Sequence, residues 1–501
     1  MTTVTYLDHA ATTPVDPQVI AALGAVLAEG LGNPSASHAA GRRAAALIDR
    51  ARLQVAALIG TDPAHLVFTS GATEANNLAI AGHAAGLSST QRRGAQVLGL
   101  VTDHKAVLSP LRRLAEAGFA LTLLQPDAQG LLSPQVLAAA LGEGAQLVSL
   151  VHVNSETGVM QDLPALAAVC RERGVALHID AAQSAGKLPL SVEGIDYLSF
   201  TAHKLGGPQG IGALYVAPQR RVALQAQILG GGQQRGLRSG TLPTHQIVAF
   251  GLACQLAAER QAELATRLTA LRQRLWLGLA DLPGVLHNGH PQHCVPGILN
   301  LSFTGVEGES LVSGLVELAL STGSACNSSS GEPSPVLRAL GRDTQLAQAS
   351  LRLSLGQTST AADVDVAIVA IRRELSRLRA LSPDLPPPVA DWQAAGWAVA
   401  QGEGGERRLG TWVRCLLALD GPVVRAARFQ VYGCPQTLSV CEYLAAQLSG
   451  VPLADLAVGS PQQWLETVAA PVEKLGRMLI IEDALRAAQT AALQPFAAAG
   501  V

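Results

Sequence analysis

Aromatic residues make up only 3% of this 501-residue chain, methionine occurs three times, and charged residues account for 15%. With a net charge of −2, the chain lacks the basic surplus that binding to nucleic acid or an anionic membrane calls for. Short basic patches at 91–93 and 171–174 read as solvated helix ends. Cysteine is scarce as well. Seven of them, an odd number at scattered spacing, exclude a disulfide framework. No apolar run reaches the roughly 18 residues a membrane-spanning helix needs. The opening "MTTVTYLDHAATTPVD" has neither the basic nor the apolar region of a secretory signal. A reduced, cytoplasmic protein is expected, with no nucleic-acid or membrane partner.

What the chain has is apolar residues, 48% of it, and length enough for two or three domains. Apolar runs such as "VLGLVTD" (97–103), "QLVSLVHV" (146–153), "ALHID" (176–180), "YLSFTAHK" (197–204) and "GIGALYVA" (210–217) alternate with helical stretches at 104–118, 133–142 and 163–174. Buried strands separated by crossover helices predict an α/β unit with a mostly parallel sheet. A long amphipathic stretch, 244–282, leads to a smaller α+β piece with strands near 296–304 and 350–355 and a closing helix at 361–381. A proline cluster in "LSPDLPPPVADWQ" (381–393) predicts a semi-rigid polyproline linker. Beyond it, two strands joined at Asp420-Gly421 predict a hairpin, followed by helices at 435–449 and 478–498.

The chemistry gathers at strand ends. Lys204 follows one strand, while Asp180 and Gln183 follow another. Gly71, Ala72 and Thr73 in "TSGATEANN" open a helix, where free N–H groups and the helix dipole favour a phosphate. His104 opens the next. In an open α/β sheet, ligands bind along this carboxyl edge. A phosphate cradle, a lysine, an acid and a planar ring together suggest pyridoxal 5'-phosphate.

Ten stretches in order carry a resemblance to the cysteine desulfurases of the NifS/IscS type over residues 4–381. They are "YLDHAATTPVDP", "FTSGATEANNLAI", "HKAVL", "HVNSETGVMQD", "HIDAAQSAGK", "SFTAHK", "GGGQQRGLRSGTLP", "GESL", "GSACNSSSGEPSPVLRALG" and "LRLSLG". The resemblance implies a fold-type-I, homodimeric, pyridoxal-phosphate-dependent transferase that converts L-cysteine to L-alanine and a persulfide. Its large domain would span about 16–260, and its small domain the N-terminal segment and about 261–382. Lys204 is implied as the Schiff-base lysine, His104 as ring-stacking proton carrier, Asp180 as partner of the pyridine nitrogen, and Gln183 as a contact of the ring hydroxyl. Ala72, Thr73, Thr201 and His203 would hold the phosphate, with Thr241 from the partner subunit. Arg352 would grip the substrate carboxylate, and Cys326, on a Gly/Ser-rich stretch, would take the sulfur. A selenocysteine lyase or an aminotransferase is the same-fold alternative; transamination needs no such thiol.

Two positions depart from the family pattern. Ser155 stands where an asparagine usually contacts the cofactor, so the contact is lost, bridged by water, or taken over by Asn154, which also counts as a substrate contact. Gln233 and Gln234 replace residues that are more often His and Glu. Cys170 and Cys254 read as buried inert thiols, Cys294 as a loop residue, and His178 and His152 as satisfied core or near-site histidines.

After the linker (383–398), residues 399–501 resemble an IscU/NifU-type iron–sulfur scaffold domain on "ARFQVYGC" and "EDALRAA". Of the cluster ligands such a domain offers, the resemblance leaves only Cys434. Leu409, Thr411 and Gly476-Arg477 stand at the other positions, so no metal is expected. Cys415 should face the core, and Cys441, seven residues after Cys434, returns to roughly the same helix face. The module is expected to be a docking surface or a sulfur relay with Cys434 as acceptor, feeding an external acceptor or iron–sulfur assembly proteins; the alternative is a pure partner-binding adaptor.

Overall fold

The computed structural model describes residues 4–221, 223–322, 332–456 and 459–498, with side chains through 494. Cys326 lies outside the described residues. Seven strands form the main sheet: β1 (Leu66–Thr69), β2 (Gln96–Leu100), β3 (Ala120–Leu124), β4 (Ala145–Val151), β5 (Ala176–Asp180), β6 (Tyr197–Thr201) and β7 (Gly212–Val216). Their spatial order is β1-β7-β6-β5-β4-β2-β3. β7 runs antiparallel to both neighbours, and every other pairing is parallel. β5, β6 and β7 are buried at every position, as short continuous apolar runs covered on both faces require. Two apolar cores, one on Phe68, Leu98, Ile179 and Phe200 and one on Val67, Leu78, Val97 and Leu214, flank the sheet. Because β1 and β6 both oppose β7, their carboxyl ends emerge on the same edge as those of β5, β4 and β2.

Helices begin where the sequence places caps. α1 (Ala72–Gly86) starts after Gly71, and α2 (Lys105–Glu116) after His104, whose Nδ1 accepts the N–H of Ala106 at 3.1 Å. The long α3 (Thr244–Leu277) leads to a four-stranded antiparallel sheet of β8 (Val285–His287), β9 (Ile298–Phe303), β10 (Ser321–Thr322) and β11 (Ser350–Ser354), ordered β10-β11-β9-β8. α4 (Gly308–Ser313) and α5 (Ala361–Ala380) cover it. The N-terminal segment joins this layer: Thr5–Tyr6 pairs with Leu318–Ala319, and Asp8 bridges to Ser354.

The C-terminal module is a three-stranded antiparallel sheet, β12 (Ala398–Glu406), β13 (Thr411–Asp420) and β14 (Val423–Tyr432), packed by α6 (Pro435–Leu448) and α7 (Leu475–Ala498). Gly421, at φ +58°, makes the expected hairpin turn. β12, with three glycines in "AVAQGEGGE", is not among the strands expected from the sequence. Its glycines serve packing instead: a Cβ on Gly402 would run into the α7 backbone around Ala484 and Ala488, and one on Gly404 into Ile480 and Ala484.

Residues 383–398 differ from a free polyproline tether. A short helix, Ala390–Ala394, seats Trp392 at 2% exposure against Leu416 and Ala418. Gln430 Nε2 donates to the carbonyls of Ser382 and Leu385 at 3.2 Å each. Arg428 stacks 4.4 Å over the Trp392 ring and pairs with Asp391. The prolines exclude a helix over their own stretch, but Trp392 gives the segment an apolar anchor. Among the described residues no helix is long and apolar enough to cross a membrane.

Candidate active site

Along the carboxyl edge the strand ends deliver their side chains in one row. After β1, Gly71 takes φ +156°, a backbone state that side-chain-bearing residues rarely adopt. A Cβ there would project into open space, its nearest neighbour being Thr201 Oγ1 at 3.8 Å. The first turn of α1, with Ala72 and Thr73, faces the same space. β6 ends at Thr201 and continues through Ala202–Lys204 as a single 3₁₀ turn. β5 ends at Asp180, followed by Gln183. β4 leads to Asn154 and Ser155, and β2 to His104. All of them, with Arg352 from β11, line one cleft of about 600 Å³.

Each charged group is held by identifiable partners. Asp180, 4% exposed, receives Asn76 Nδ2 on Oδ2 at 2.8 Å and the Ala182 N–H on Oδ1 at 2.9 Å. His104 is driven toward its neutral form, first by burial, with Asp180 opposing and Lys204 and Lys105 reinforcing. Since Nδ1 accepts from Ala106, Nε2 carries the proton of the neutral ring. Burial likewise lowers His203 to about 4, and its Nδ1 sits 3.2 Å from Thr12 Oγ1. Thr13 binds the His203 carbonyl through both its N–H (2.8 Å) and its hydroxyl (2.9 Å), so the N-terminal segment clamps the residue preceding Lys204. Asp103, wholly buried, is raised to about 8 by desolvation despite the N–H groups of Leu100 and Val151.

The pocket fits pyridoxal 5'-phosphate: a glycine-opened anion cradle, a lysine and a fixed carboxylate share one edge. Residues 5–366 match the class-V aminotransferase family model. The chain is 48% identical over 400 residues to the cysteine desulfurase IscS of Serratia proteamaculans, covering 78% of this chain and 98% of the relative.

The chain belongs to the cysteine desulfurases of the class-V aminotransferase family.

Among solved structures, a NifS-like protein superimposes with a TM-score of 0.69 at 31% identity, covering 75% of this chain and 99% of the other. DndA of Streptomyces lividans does so with a TM-score of 0.60 at 38% identity, covering 70% and 99%. This desulfurase is therefore a pyridoxal-phosphate-dependent enzyme.

Eleven of the residues singled out in the sequence meet in this cleft: Gly71, Ala72, Thr73, His104, Asn154, Ser155, Asp180, Gln183, Thr201, His203 and Lys204; Arg352 closes it from β11. Thr241 is not on the cleft wall of its own chain. Asn154 is largely committed to its own turn: Oδ1 accepts from Glu156 N, Thr157 N and Thr157 Oγ1, while Nδ2 donates to the Thr102 carbonyl at 2.9 Å. Of the three outcomes expected at position 155, takeover by Asn154 has only the second Nδ2 hydrogen left to it. Gln234 pairs with both backbone groups of Phe68 on β1, a structural use of that departure. His178 is a satisfied core histidine between Ser149 and Ser199.

Three contributors were missed. Asn76, on the inward face of α1, orients Asp180. Lys187 is partly buried and pushed down to about 7 by desolvation, then by Lys204 and Arg352. Asp8 pairs with Arg352 at 2.7 Å. Only the quoted stretches "EANN", "SAGK" and "YLDH" hinted at them.

In the C-terminal module, Cys434 stands at the start of α6 as expected, with no side-chain capping bond, and is fully buried, with Sγ 3.3 Å from Thr437 Oγ1 and the Arg477 guanidinium against it. The expected acceptor is thus not offered to solvent. Across the seam, Ser310 Oγ on α4 donates to the Gly433 carbonyl at 2.7 Å, Tyr432 Oη to the Val306 carbonyl at 3.3 Å, and Lys474 pairs with Glu309 at 2.7 Å. Cys415 and Cys441 are core thiols, both raised by burial. Among the described residues no three His, Cys, Asp or Glu side chains gather as metal ligands would.

Proposed function

We propose that this desulfurase transfers the sulfur of L-cysteine to Cys326 and that its C-terminal, IscU-like module serves as a docked structural partner rather than a cluster scaffold. Gly71, Ala72, Thr73, Thr201 and His203, with Thr241 of a second copy in a homodimer, would hold the cofactor phosphate. Asp180, fixed by Asn76, would keep the pyridine nitrogen protonated, and Gln183 would meet the ring hydroxyl. When bound, pyridoxal phosphate supplies an electron sink conjugated to the substrate α-carbon. Arg352 holds the substrate carboxylate. Lys204 Nζ and His104 Nε2 move protons to and from the amino acid. The Cys326 thiolate attacks the substrate sulfur: an S–S bond forms, the Cβ–S bond breaks, and its electron pair stays on Cβ and takes up a proton. L-Alanine and a Cys326 persulfide result, ready for an acceptor such as the iron–sulfur assembly machinery.

The row of Gly71, Lys204, Asp180 and His104 along one sheet edge carries the catalytic reading. For the module, the burial of Cys434 against Arg477 carries it, since a cation stands where a metal thiolate would need a second ligand. The experiment is a single turnover with sulfur-35 cysteine on the full-length holoenzyme, followed by non-reducing peptide mapping. Label confined to Cys326, and lost in Cys326→Ser, is expected. Label moving on to Cys434 would make the module a relay. No label on either would overturn the persulfide assignment.

A further inference from the structure

Arg352 does not present an open fork. Its Nη2 donates to Asp8 Oδ1 at 2.7 Å and to Ser321 Oγ at 3.0 Å, and its Nη1 to the Ser155 carbonyl at 3.0 Å. Ser321 Oγ closes the triangle by donating to the same Asp8 oxygen at 2.8 Å. Nε is buried without a partner. A guanidinium has five N–H groups, and the two not engaged here lie on Nε and Nη1, which share no edge. Either two-pronged grip on a carboxylate uses Nη2, and both of its hydrogens are occupied.

Arg352 is 3% exposed, so its charge needs a counterion whenever the cleft holds no substrate. The other nearby acid, Glu156, is bonded to Ser334 and raised to about 7 by burial. Asp8 is therefore the carboxylate in direct contact. Its backbone is fixed by the bridge to Ser354, one strand position from Leu353 and two from Arg352 itself.

Resting on the reading of Arg352 as the carboxylate holder, we propose that Asp8 is a built-in competitor for the substrate carboxylate, which an incoming amino acid must displace from Nη2. The exchange swaps one carboxylate for another, so the carboxylate alone gains little. A ligand must also bring an α-amino group to the Lys204 end of the cleft to bind well. Asp8 thus raises the threshold for every carboxylate alike, and the α-amino group supplies the affinity that carries an amino acid past it.

The test uses holoenzyme and two probes, L-alanine and propionate, with affinities read by calorimetry and, for alanine, by the cofactor's visible absorption band. Asp8→Asn, which keeps the shape and removes the charge, should bind both about tenfold more tightly, the change that roughly 1.4 kcal/mol produces. Ser321→Ala, which leaves the carboxylate but breaks the triangle, should shift both in the same direction by about twofold, a fraction of a neutral hydrogen bond; it carries the test if Asp8→Asn fails to retain cofactor. Unchanged or weaker binding in these variants overturns the proposal. If Arg352→Met binds propionate and alanine as the parent does, the Arg352 assignment itself fails, whatever the Asp8 variant shows.

Discussion

Lys187 donates from Nζ to Gln183 Oε1 at 2.7 Å, and Nε2 of the same amide donates to the Ala10 carbonyl at 2.7 Å. An ammonium has no acceptor, so this contact decides which way the amide faces. The oxygen turns to Lys187, and the second N–H of Gln183 is left for the cleft. Lys187 thereby sets the orientation of the amide proposed to meet the cofactor ring.

The same lysine gives a pH signature. Desolvation holds Lys187 near 7, whereas an unfolded lysine titrates near ~10.4. Between those values the unfolded chain binds more protons, so this group's contribution to stability rises with pH and is level below 7. Relative to Lys187→Met, the parent should gain on the order of a few kcal/mol from pH 7 to 10. Urea midpoints of both proteins at pH 7, 8 and 9 check this; a gap that does not change with pH would sink it.

Trp392 makes the proline-rich segment part of the fold. Trp392→Ala should cost about 3–5 kcal/mol, as truncation of a buried aromatic does, and lower the unfolding midpoint of the full chain. A mere tether would show no loss.

Gly402 is where β12 meets α7. In Gly402→Ala the new methyl would sit 2.6 Å from the Ala487 carbonyl carbon, and overpacking of this kind costs about 1–3 kcal/mol. Limited proteolysis should then release C-terminal fragments sooner. Gly410→Ala is the comparison: it has φ +88° but nothing within 4 Å, so its cost is backbone strain alone and the module should stay docked.

All six described cysteines are buried. Iodoacetamide should therefore label Cys434 only after denaturant opens the seam with α4. Native-state labelling of Cys434, read by peptide mass, would show that the module undocks on its own.

The cleft edge was legible because each of these residues follows an apolar run whose end is easy to find: Lys204 after "YLSFT", Asp180 closing "ALHID", His104 after "VLGLVTD". Less legible was whatever depends on distant partners. Asp8 and Arg352 are 344 residues apart, and nothing local to either announces the pair. Asn76 looks like any polar residue of an amphipathic helix until Asp180 is opposite it. β12 escaped because its glycines, read locally, break strands, and only the approach of α7 explains them. Cys434 was correctly placed at a helix start, but its burial depends on Thr437 and on Arg477, which α7 brings against it from far along the chain.

The one reversed strand of the main sheet has a metric consequence. β7 sits between β1 and β6, so the anion cradle after β1 and the lysine after β6 stand two strand spacings apart, roughly 9–10 Å, while Asp180 on β5 lies one spacing beyond Lys204. The sheet acts as a ruler whose divisions are fixed by backbone hydrogen bonds rather than by side chains. Mutation can change which groups stand at each mark, but moving a mark requires inserting or removing a whole strand. The separation between the turn at Gly71 and Lys204 is thus set by the sheet rather than by the side chains that stand on it.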